Sequence, residues 1–424
     1  MAKVNEIPHC VDGEDNIVPM NIEGGTAVDY AAVKIMVVAV DVGHQLIYST
    51  QEQPDSSDYT KWEKVDGKTY LYHAQDSGTT KGGDVTIAAV DAASKTVQYF
   101  VENPNQHIDD VRWLPREDLG SPNGMDDFSV VRISNDVNGE VSVIVTSDDA
   151  KGKKIWWNYR NPPRTVEKKE KIVPPGADKP IEVTVMVSEP SKKLWSGWVD
   201  ISGSLQGGFK TMFICNNADG RLVIVGTTAE GFTWVRQQSS KNPYDPDMWS
   251  DWVQPGDGDA EGAQYAKPVL DDTGVVSIFA NFNGKIYRSR QSEPGSDKWL
   301  PWSVPGRPAE VVGAYDVSID GDGCLFLAAL SAADGGTKVY GNREYNTVEN
   351  KWVGWEWINE VPNADYINLS YNADGSLTCF VLNPGKNTFK RIRQINVNSS
   401  EWYAKFKQFP SKIMSFSVTR DLTP

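Results

Sequence analysis

Short runs in which apolar and polar residues alternate recur along the chain, and turn residues separate them. In four segments, two such runs follow a turn with Gly: "NADGRLVIVGTTAEGFTWVRQ", "DDTGVVSIFANFNGKIYRSRQ", "GDGCLFLAALSAADGGTKVYGNRE" and "NADGSLTCFVLNPGKNTFKRIRQ". Asp-Gly and Asn-Gly dipeptides between alternating runs are a strong local signal for β-hairpins. The pattern therefore predicts a chain built of short antiparallel strands.

These segments form a repeat of about fifty residues. The turn glycines Gly220, Gly274, Gly323 and Gly375 are 54, 49 and 52 positions apart. After each segment comes a run rich in aromatic residues, and tryptophan pairs three positions apart recur as Trp195/Trp198, Trp249/Trp252, Trp299/Trp302 and Trp352/Trp355. Four short strands in a unit of this length are typical of a β-propeller blade.

Extending the repeat to the whole chain predicts an all-β, seven-bladed β-propeller with four antiparallel strands per blade. The predicted blades are residues 31–67 with 413–424, 68–120, 123–203, 209–256, 263–306, 312–361 and 364–412. The third blade carries an inserted hairpin at 164–190, and residues 1–30 form an arm outside the repeat. "FSVTRD" at Phe416–Asp421 echoes "FSVVRI" at Phe128–Ile133, so we expect the C-terminal strand to complete the N-terminal blade and close the ring.

The repeated arginines and aromatic residues have two interpretations. A large aromatic ring fills the wedge between blades, and an arginine stacks on it or pairs with an acidic residue. Alternatively, an aromatic platform and a rigid guanidinium fork bind the ring face and the hydroxyls of a sugar. On the second interpretation the candidate ligand-binding residues are Arg236, Trp252, Arg290, Trp302, Arg343, Trp355, Arg393 and Tyr403.

Blades of the form "DG-x-L-x-V-x … R-Q … W-x-x-W … P-G" resemble the bacterial and fungal β-propeller lectins. The similarity is to the seven-bladed Photorhabdus-type lectins and, more distantly, to the six-bladed fucose-specific lectins of fungi, and it is clearest over Phe209–Lys412. The resemblance implies reversible binding of fucose or related glycans in repeated pockets between blades. Departures occur in the first half, where the first two units lack the Arg-Gln pair.

Two other functions remain open. Propellers also carry glycosidases, and "TTAEGFTWVRQ" faintly resembles a sialidase Asp-box with a spacing one residue short. Because the arginines recur at equivalent blade positions, they are spread around the ring, and we expect no catalytic residues and no enzyme activity. The third hypothesis is a protein-interaction or targeting propeller of a toxin or secretion system, with a protein partner at the inserted hairpin.

Charge and composition narrow the partners. With 57 acidic and 42 basic residues the formal charge is −15, which argues against nucleic acid as a partner. The apolar runs are too short for membrane insertion. The four histidines are scattered, so no cofactor or metal is expected. The N-terminus lacks an apolar signal region, which predicts synthesis in the cytoplasm, with release by a non-classical route left open.

Overall fold

The computed structural model describes part of the chain. It covers residues 33–421 except 81, 107–110, 126, 137–138, 148–153, 163, 173–180, 190, 192, 206–207, 240–247, 257–260, 307–311, 332–336, 347–348, 362–363, 398, 400, 404 and 411. The predicted N-terminal arm, residues 1–30, lies outside the described residues. In the described part nearly all regular structure is β-strand, so the prediction of an all-β fold is confirmed.

Most of the strands are short, as expected for a chain that turns every few residues, and the longest is Glu63–Thr79. In chain order they are β1 (Lys34–Asp41), β2 (Gln45–Thr50), β3 (Glu63–Thr79), β4 (Val85–Asp91), β5 (Val97–Val101), β6 (Glu117–Asp118), β7 (Phe128–Asn135), β8 (Val141–Ser147), β9 (Ile155–Tyr159), β10 (Arg164–Ile172), β11 (Ile181–Glu189), β12 (Val199–Asp200), β13 (Thr211–Asn216), β14 (Leu222–Thr227), β15 (Thr233–Gln237), β16 (Ala263–Leu270), β17 (Val276–Phe282), β18 (Lys285–Arg290), β19 (Val312–Ile319), β20 (Leu325–Ser331), β21 (Lys338–Asn346), β22 (Lys351–Trp352), β23 (Glu356–Glu360), β24 (Tyr366–Tyr371), β25 (Leu377–Asn383), β26 (Thr388–Arg393), β27 (Lys407–Gln408) and β28 (Ile413–Asp421).

The strands form several antiparallel sheets that follow one another along the chain. The first sheet has the order β28-β1-β2-β3-β4-β5-β6, so it contains both the first and the last strand. It is followed by the sheets β12-β9-β8-β7, β13-β14-β15, β16-β17-β18, β19-β20-β21-β22 with β23 beside β21, and β24-β25-β26-β27. Strands β10 and β11 pair only with each other, in the segment where the sequence predicts an inserted hairpin.

The C-terminal strand joins the N-terminal one. Strand β28 pairs with β1 antiparallel, with Val418 opposite Val37. The long strand β3 pairs with β2 near its start and with β4 from Tyr70 onward, so it runs through the position between residues 67 and 68 where the sequence analysis draws a blade border.

Within the described residues, two of the sheets have three continuous strands. Beside β15 and β18 the tryptophan-bearing segments run as isolated bridges, such as Gln238 with Trp249 and Gln291 with Trp299. The fourth strand of the predicted unit is therefore reduced to single bridges in these two sheets.

The hydrophobic core of the described part is divided into clusters, each shared by two successive units of the chain. One cluster joins the end of the chain to its beginning: Val37 and Ala39 of β1 pack with Phe380 and Phe389 of the β24–β27 sheet. Among the described residues, no helix is both long and apolar enough to cross a bilayer.

Candidate functional site

A cavity of about 410 Å³ lies where the β24–β27 sheet meets the segment between β2 and β3. Two of the eight predicted ligand-binding residues, Arg393 and Tyr403, line it. The first sheet contributes Ser56, Ser57 and Tyr59 to the opposite wall. The cavity is thus a cleft between the last and the first sheet, and we call it the closing cleft.

Arg393 is fixed at the floor of the closing cleft by three partners. Its Nε donates to Ser376 Oγ at 2.9 Å, its Nη2 pairs with the Asp374 carboxylate, and its Nη1 donates to the backbone carbonyl of Asp55. Asp374 and Ser376 belong to the turn before β25, whereas Asp55 lies in the segment that joins β2 and β3 of the first sheet. The guanidinium therefore holds a rigid position that connects the two sheets.

Asp55 makes the reciprocal contact from the first sheet. Its Oδ1 accepts a hydrogen bond from the backbone N–H of Asp374 at 2.9 Å, and its backbone lies in the left-handed region with φ 63°. Burial raises the pKa of the Asp55 carboxyl above its usual value. Keeping this side chain ionised at the contact between the two sheets therefore costs free energy of folding.

Arg391 is a cleft residue that the sequence analysis did not select. Its guanidinium lies 4.5 Å from the ring centre of Tyr59 and 4.3 Å from that of Phe409, and its Nε donates to the Ser57 carbonyl at 3.0 Å. Burial lowers the pKa of this guanidinium. Arg391 is therefore a cation held between two aromatic rings.

Tyr403 forms the open rim of the closing cleft. Its side chain is 50% exposed, and its backbone N–H donates to the Arg393 carbonyl at 3.0 Å. Lys405 and Lys407 follow on the same rim, and Lys407 pairs with Asp58 at 3.1 Å. An exposed aromatic ring beside fixed cationic groups can accept the apolar face of a ring-shaped ligand and donate hydrogen bonds to its edge.

A second cavity, of about 190 Å³, occupies the equivalent place between the β19–β23 and β24–β27 sheets. Arg343 lines it from one sheet, and Ser399 and Trp402 line it from the next. Arg343 is held by two carboxylates, Asp320 through Nε and Asp322 through Nη2 at 3.0 Å. The second cleft therefore repeats the arrangement of the first. The charge of its arginine is neutralised by carboxylates of the same sheet.

The predicted tryptophans pack between sheets. Trp302 lies against Gly256, where an added Cβ would come within 2.5 Å of the indole, and Trp252 donates from Nε1 to the Ser202 carbonyl at 2.7 Å. Trp355 lies close to Gly306 in the same manner. In each case the indole covers the turn that ends the preceding unit, so it packs between sheets and does not line either cavity described above.

The other two predicted arginines also contact protein groups. Arg290 donates from Nη2 to Thr273 Oγ1 at 3.0 Å and pairs with Asp271 at 3.3 Å. Arg236 lies 5.7 Å from the Trp252 ring and donates to the carbonyls of neighbouring segments. Among the eight candidate residues, the structure brings Arg236 together with Trp252 and Arg393 together with Tyr403.

Arg236 occupies a different strand position from the other three arginines. Arg393 directly precedes Gln394, whereas Arg236 stands two positions before Gln238, the residue with the matching contacts. Because neighbouring side chains of a strand point to opposite faces, this one-residue offset turns Arg236 to the other face of its sheet.

The glutamines of the repeated Arg-Gln pairs are structural. The Oε1 of Gln394 accepts from the Leu377 N–H at 2.8 Å, and that of Gln291 accepts from the Val276 N–H at 3.0 Å. The sequence signal for Arg391 was present in the same place, since "RIRQ" puts a second arginine on the face of Arg393. Among the described residues, no group of three or more His, Cys, Asp or Glu is arranged to hold a metal ion.

Comparison with known proteins gives structural similarity only. No protein-family model matches the chain, and no curated protein matches it. Similar solved structures include the NanB sialidase from Streptococcus pneumoniae, with 10% identity over 82% of this chain and 80% of that one and a TM-score of 0.42. An ulvan lyase of polysaccharide lyase family PL25 shares 9% identity over 88% and 90% of the two chains, with a TM-score of 0.47. A protein from Lactobacillus plantarum shares 10% identity over 92% and 99%, with a TM-score of 0.49.

These similarities correct one expectation. The sequence analysis predicts a protein without enzyme activity, yet the sialidase and the lyase among the similar structures are both enzymes. The expectation that the chain is not an enzyme is therefore withdrawn. None of the three TM-scores reaches 0.5, and we transfer no reaction from those proteins to this one.

Proposed function

We propose that the protein binds glycans, and that the closing cleft is a binding site. The observation that carries the proposal is the half-exposed ring of Tyr403 at the mouth of a cavity of about 410 Å³ that also contains Arg391 and Arg393. A cavity of this size accommodates a monosaccharide unit, with the apolar ring face on the tyrosine and hydroxyls toward the arginines and Ser57.

The finer architecture that we propose is a closed seven-bladed propeller. Seven hydrophobic clusters of the described residues, each shared by two successive units, support this count. The pairing of β28 with β1 supports closure, because it gives the first unit its inner strand. On this arrangement the first sheet holds two blades, which meet within β3.

Repeated clefts make the proposed binding multivalent. The second cleft, beside Arg343, is the other candidate, and two weak sites on one protein raise the avidity for a branched or surface-bound glycan. The resemblance to Photorhabdus-type and fungal lectins adds fucose-like sugars as ligands to test. The inserted hairpin, β10 and β11, stays the proposed place for a protein partner.

The test is a glycan array probed with the full chain, followed by product analysis of every glycan that is bound. Specific binding supports the proposal, and cleavage of a bound glycan adds an enzyme activity to it. Binding to no glycan contradicts the proposal and favours the protein-interaction hypothesis. The Tyr403→Ala variant tests whether the closing cleft is the site, and Leu300→Ala is its matched control, because the Leu300 N–H donates to Arg290 as that of Tyr403 does to Arg393.

A further inference from the structure

Arg391 has an internal counterpart in another sheet, Arg288. Each stands two positions before the arginine that ends its strand, and so lies on the same face as that arginine. Each also reaches the same place in the next sheet: Arg288 Nη1 donates to Asn350 Oδ1 at 3.0 Å, and Arg391 Nε donates to the Ser57 carbonyl at 3.0 Å. Asn350 and Ser57 both lie two residues before an aromatic residue that bridges back to its own sheet.

Arg288 is neutralised by protein carboxylates. It is 1% exposed, and it pairs with Glu344 of the next sheet and with Asp271 of its own sheet at 3.3 Å. A buried guanidinium needs such partners, because an uncompensated charge in the interior costs several kcal/mol.

Arg391 lacks this carboxylate. The residue that corresponds to Glu344 in the first sheet is Gln51, whose Nε2 donates to the Ser56 carbonyl at 2.8 Å and to Asn372 Oδ1 at 2.9 Å. Within the described residues, Arg391 forms no ion pair, and its Nη1 has no hydrogen-bond partner. The closing cleft therefore contains a guanidinium without a paired carboxylate in the described part of the chain; Asp58, which pairs with Lys407, acts on it only through longer-range attraction.

The rest of the closing cleft is also cationic, although the whole chain carries a formal charge of −15. Arg393, Lys405 and Lys407 line it with Arg391, and no Asp or Glu is among its described lining residues. Asp374 and Asp58 neutralise Arg393 and Lys407. The Asp55 carboxylate also acts on Arg393. Four basic side chains therefore face three acidic ones, which leaves a surplus of one positive charge.

The second cleft has the opposite charge pattern at equivalent positions. There Gly341 lies opposite Glu356 on the neighbouring strand, whereas in the closing cleft Arg391 lies opposite Lys407. The second cleft therefore does not share the cationic character of the closing cleft.

We propose that the closing cleft selects an anionic sugar, whose carboxylate or sulfate pairs with Arg391 while its ring lies against Tyr403. This inference rests on the proposed glycan binding and adds the charge class of the ligand. The anion takes the electrostatic role at Arg391 that Glu344 has at Arg288. A charge-assisted hydrogen bond of this kind is expected to strengthen binding by about ten- to a hundredfold over the matching neutral sugar.

The test is calorimetric titration of the full chain with D-glucuronate, glucose 6-sulfate and D-glucose. We expect both acidic sugars, or the one whose anion fits, to bind at least about tenfold more tightly than glucose. Arg391→Gln should abolish that preference. Gln51→Glu should abolish the preference too, because the new carboxylate would form an ion pair with Arg391. Glutamate is already present at the equivalent positions of two other units, as Glu102 and Glu344.

Two further variants keep the result interpretable. Lys405→Gln changes an exposed charge on the rim and should weaken glucuronate binding severalfold with an unchanged thermal midpoint. Lys285→Gln makes the same charge change at an exposed position on β18 and should leave binding as in the wild type. Equal affinity for glucuronate, glucose 6-sulfate and glucose overturns the anionic selection and leaves glycan binding standing. Binding of no sugar in titration or on the array overturns both.

Discussion

Gln51 Nε2 donates a hydrogen bond to Asn372 Oδ1 at 2.9 Å, and the two residues are 321 positions apart in the chain. This contact joins the first sheet to the last at the back of the closing cleft. The same two sheets share the aromatic cluster around Phe380 and Phe389. The candidate site is therefore built at the contact that brings the ends of the described chain together, and its integrity depends on that contact.

The aromatic cluster between the last and first sheets should be a main source of stability. Phe389 is fully buried and lies 4.6 Å from the rings of both Phe409 and Phe416. Phe389→Ala is expected to lower the free energy of unfolding by about 3–5 kcal/mol, measured by urea denaturation. The control Phe389→Leu keeps most of the volume and should cost less than about 1.5 kcal/mol. A loss below about 1 kcal/mol for the alanine variant would contradict the described packing.

The ion network at Arg288 should be costly to break from one side. Arg288→Met removes the guanidinium from two buried carboxylates, Glu344 and Asp271, of which Asp271 keeps its ion pair with Arg290, and the expected loss is about 3–5 kcal/mol. Adding Glu344→Gln removes one of those charges, so the double variant should be more stable than Arg288→Met in chemical denaturation. A double variant less stable than the single one would show that the network is not organised by charge pairing.

Asp55 should make stability depend on pH in a defined direction. Because burial raises its pKa in the folded state, the folded protein retains a proton that the unfolded chain has released, and stability is lost as pH rises from about 4 through the raised folded value. Asp55→Asn does not titrate and also suits the positive φ. It should therefore be more stable than the wild type at neutral pH, by no more than about 1 kcal/mol because the side chain is partly exposed. Thermal melts from pH 3 to 8, as an approximate range, should show the difference vanish at the acidic end; a difference that grows toward acid would contradict the assignment.

Trp302 should matter for stability more than for ligand binding. Its indole packs on Gly256 and lies 5.1 Å from the Phe282 ring, away from the closing cleft. Trp302→Ala is expected to cost about 3 kcal/mol of unfolding free energy, while the folded variant keeps its affinity for the bound glycan. Loss of affinity in a variant shown to be folded at the assay temperature would show that Trp302 contributes to ligand binding, as the sequence analysis predicts.

The sequence predicts the strand pattern well because hairpin turns and alternating runs are local signals. The turn glycine Gly274 and the strand that follows it lie where the pattern puts them, with Gly274 at a positive φ. The pairing of β28 with β1 was also accessible, since the two ends supply the halves of one repeat.

The side-chain roles were less accessible, because spacing in sequence does not reveal a one-residue change of register. Arg236 and Arg290 both precede glutamines, yet they face opposite sides of their strands, as their partners show. The role of Arg391 depends on which residue the next sheet places opposite it. That residue is Glu344 for Arg288 and Gln51 for Arg391, and this difference becomes visible only when the sheets are assembled.

The most direct test of the central claim is the affinity of the wild type, Tyr403→Ala and Leu300→Ala for the tightest ligand on the array, measured by titration calorimetry at one salt concentration. Tyr403 and Leu300 are 50% and 43% exposed, and each directly follows a tryptophan that bridges to its own sheet, so neither truncation should unfold the protein. We predict that Tyr403→Ala weakens binding by at least about tenfold, while Leu300→Ala leaves it unchanged. Equal affinity of all three proteins would contradict glycan binding in the closing cleft.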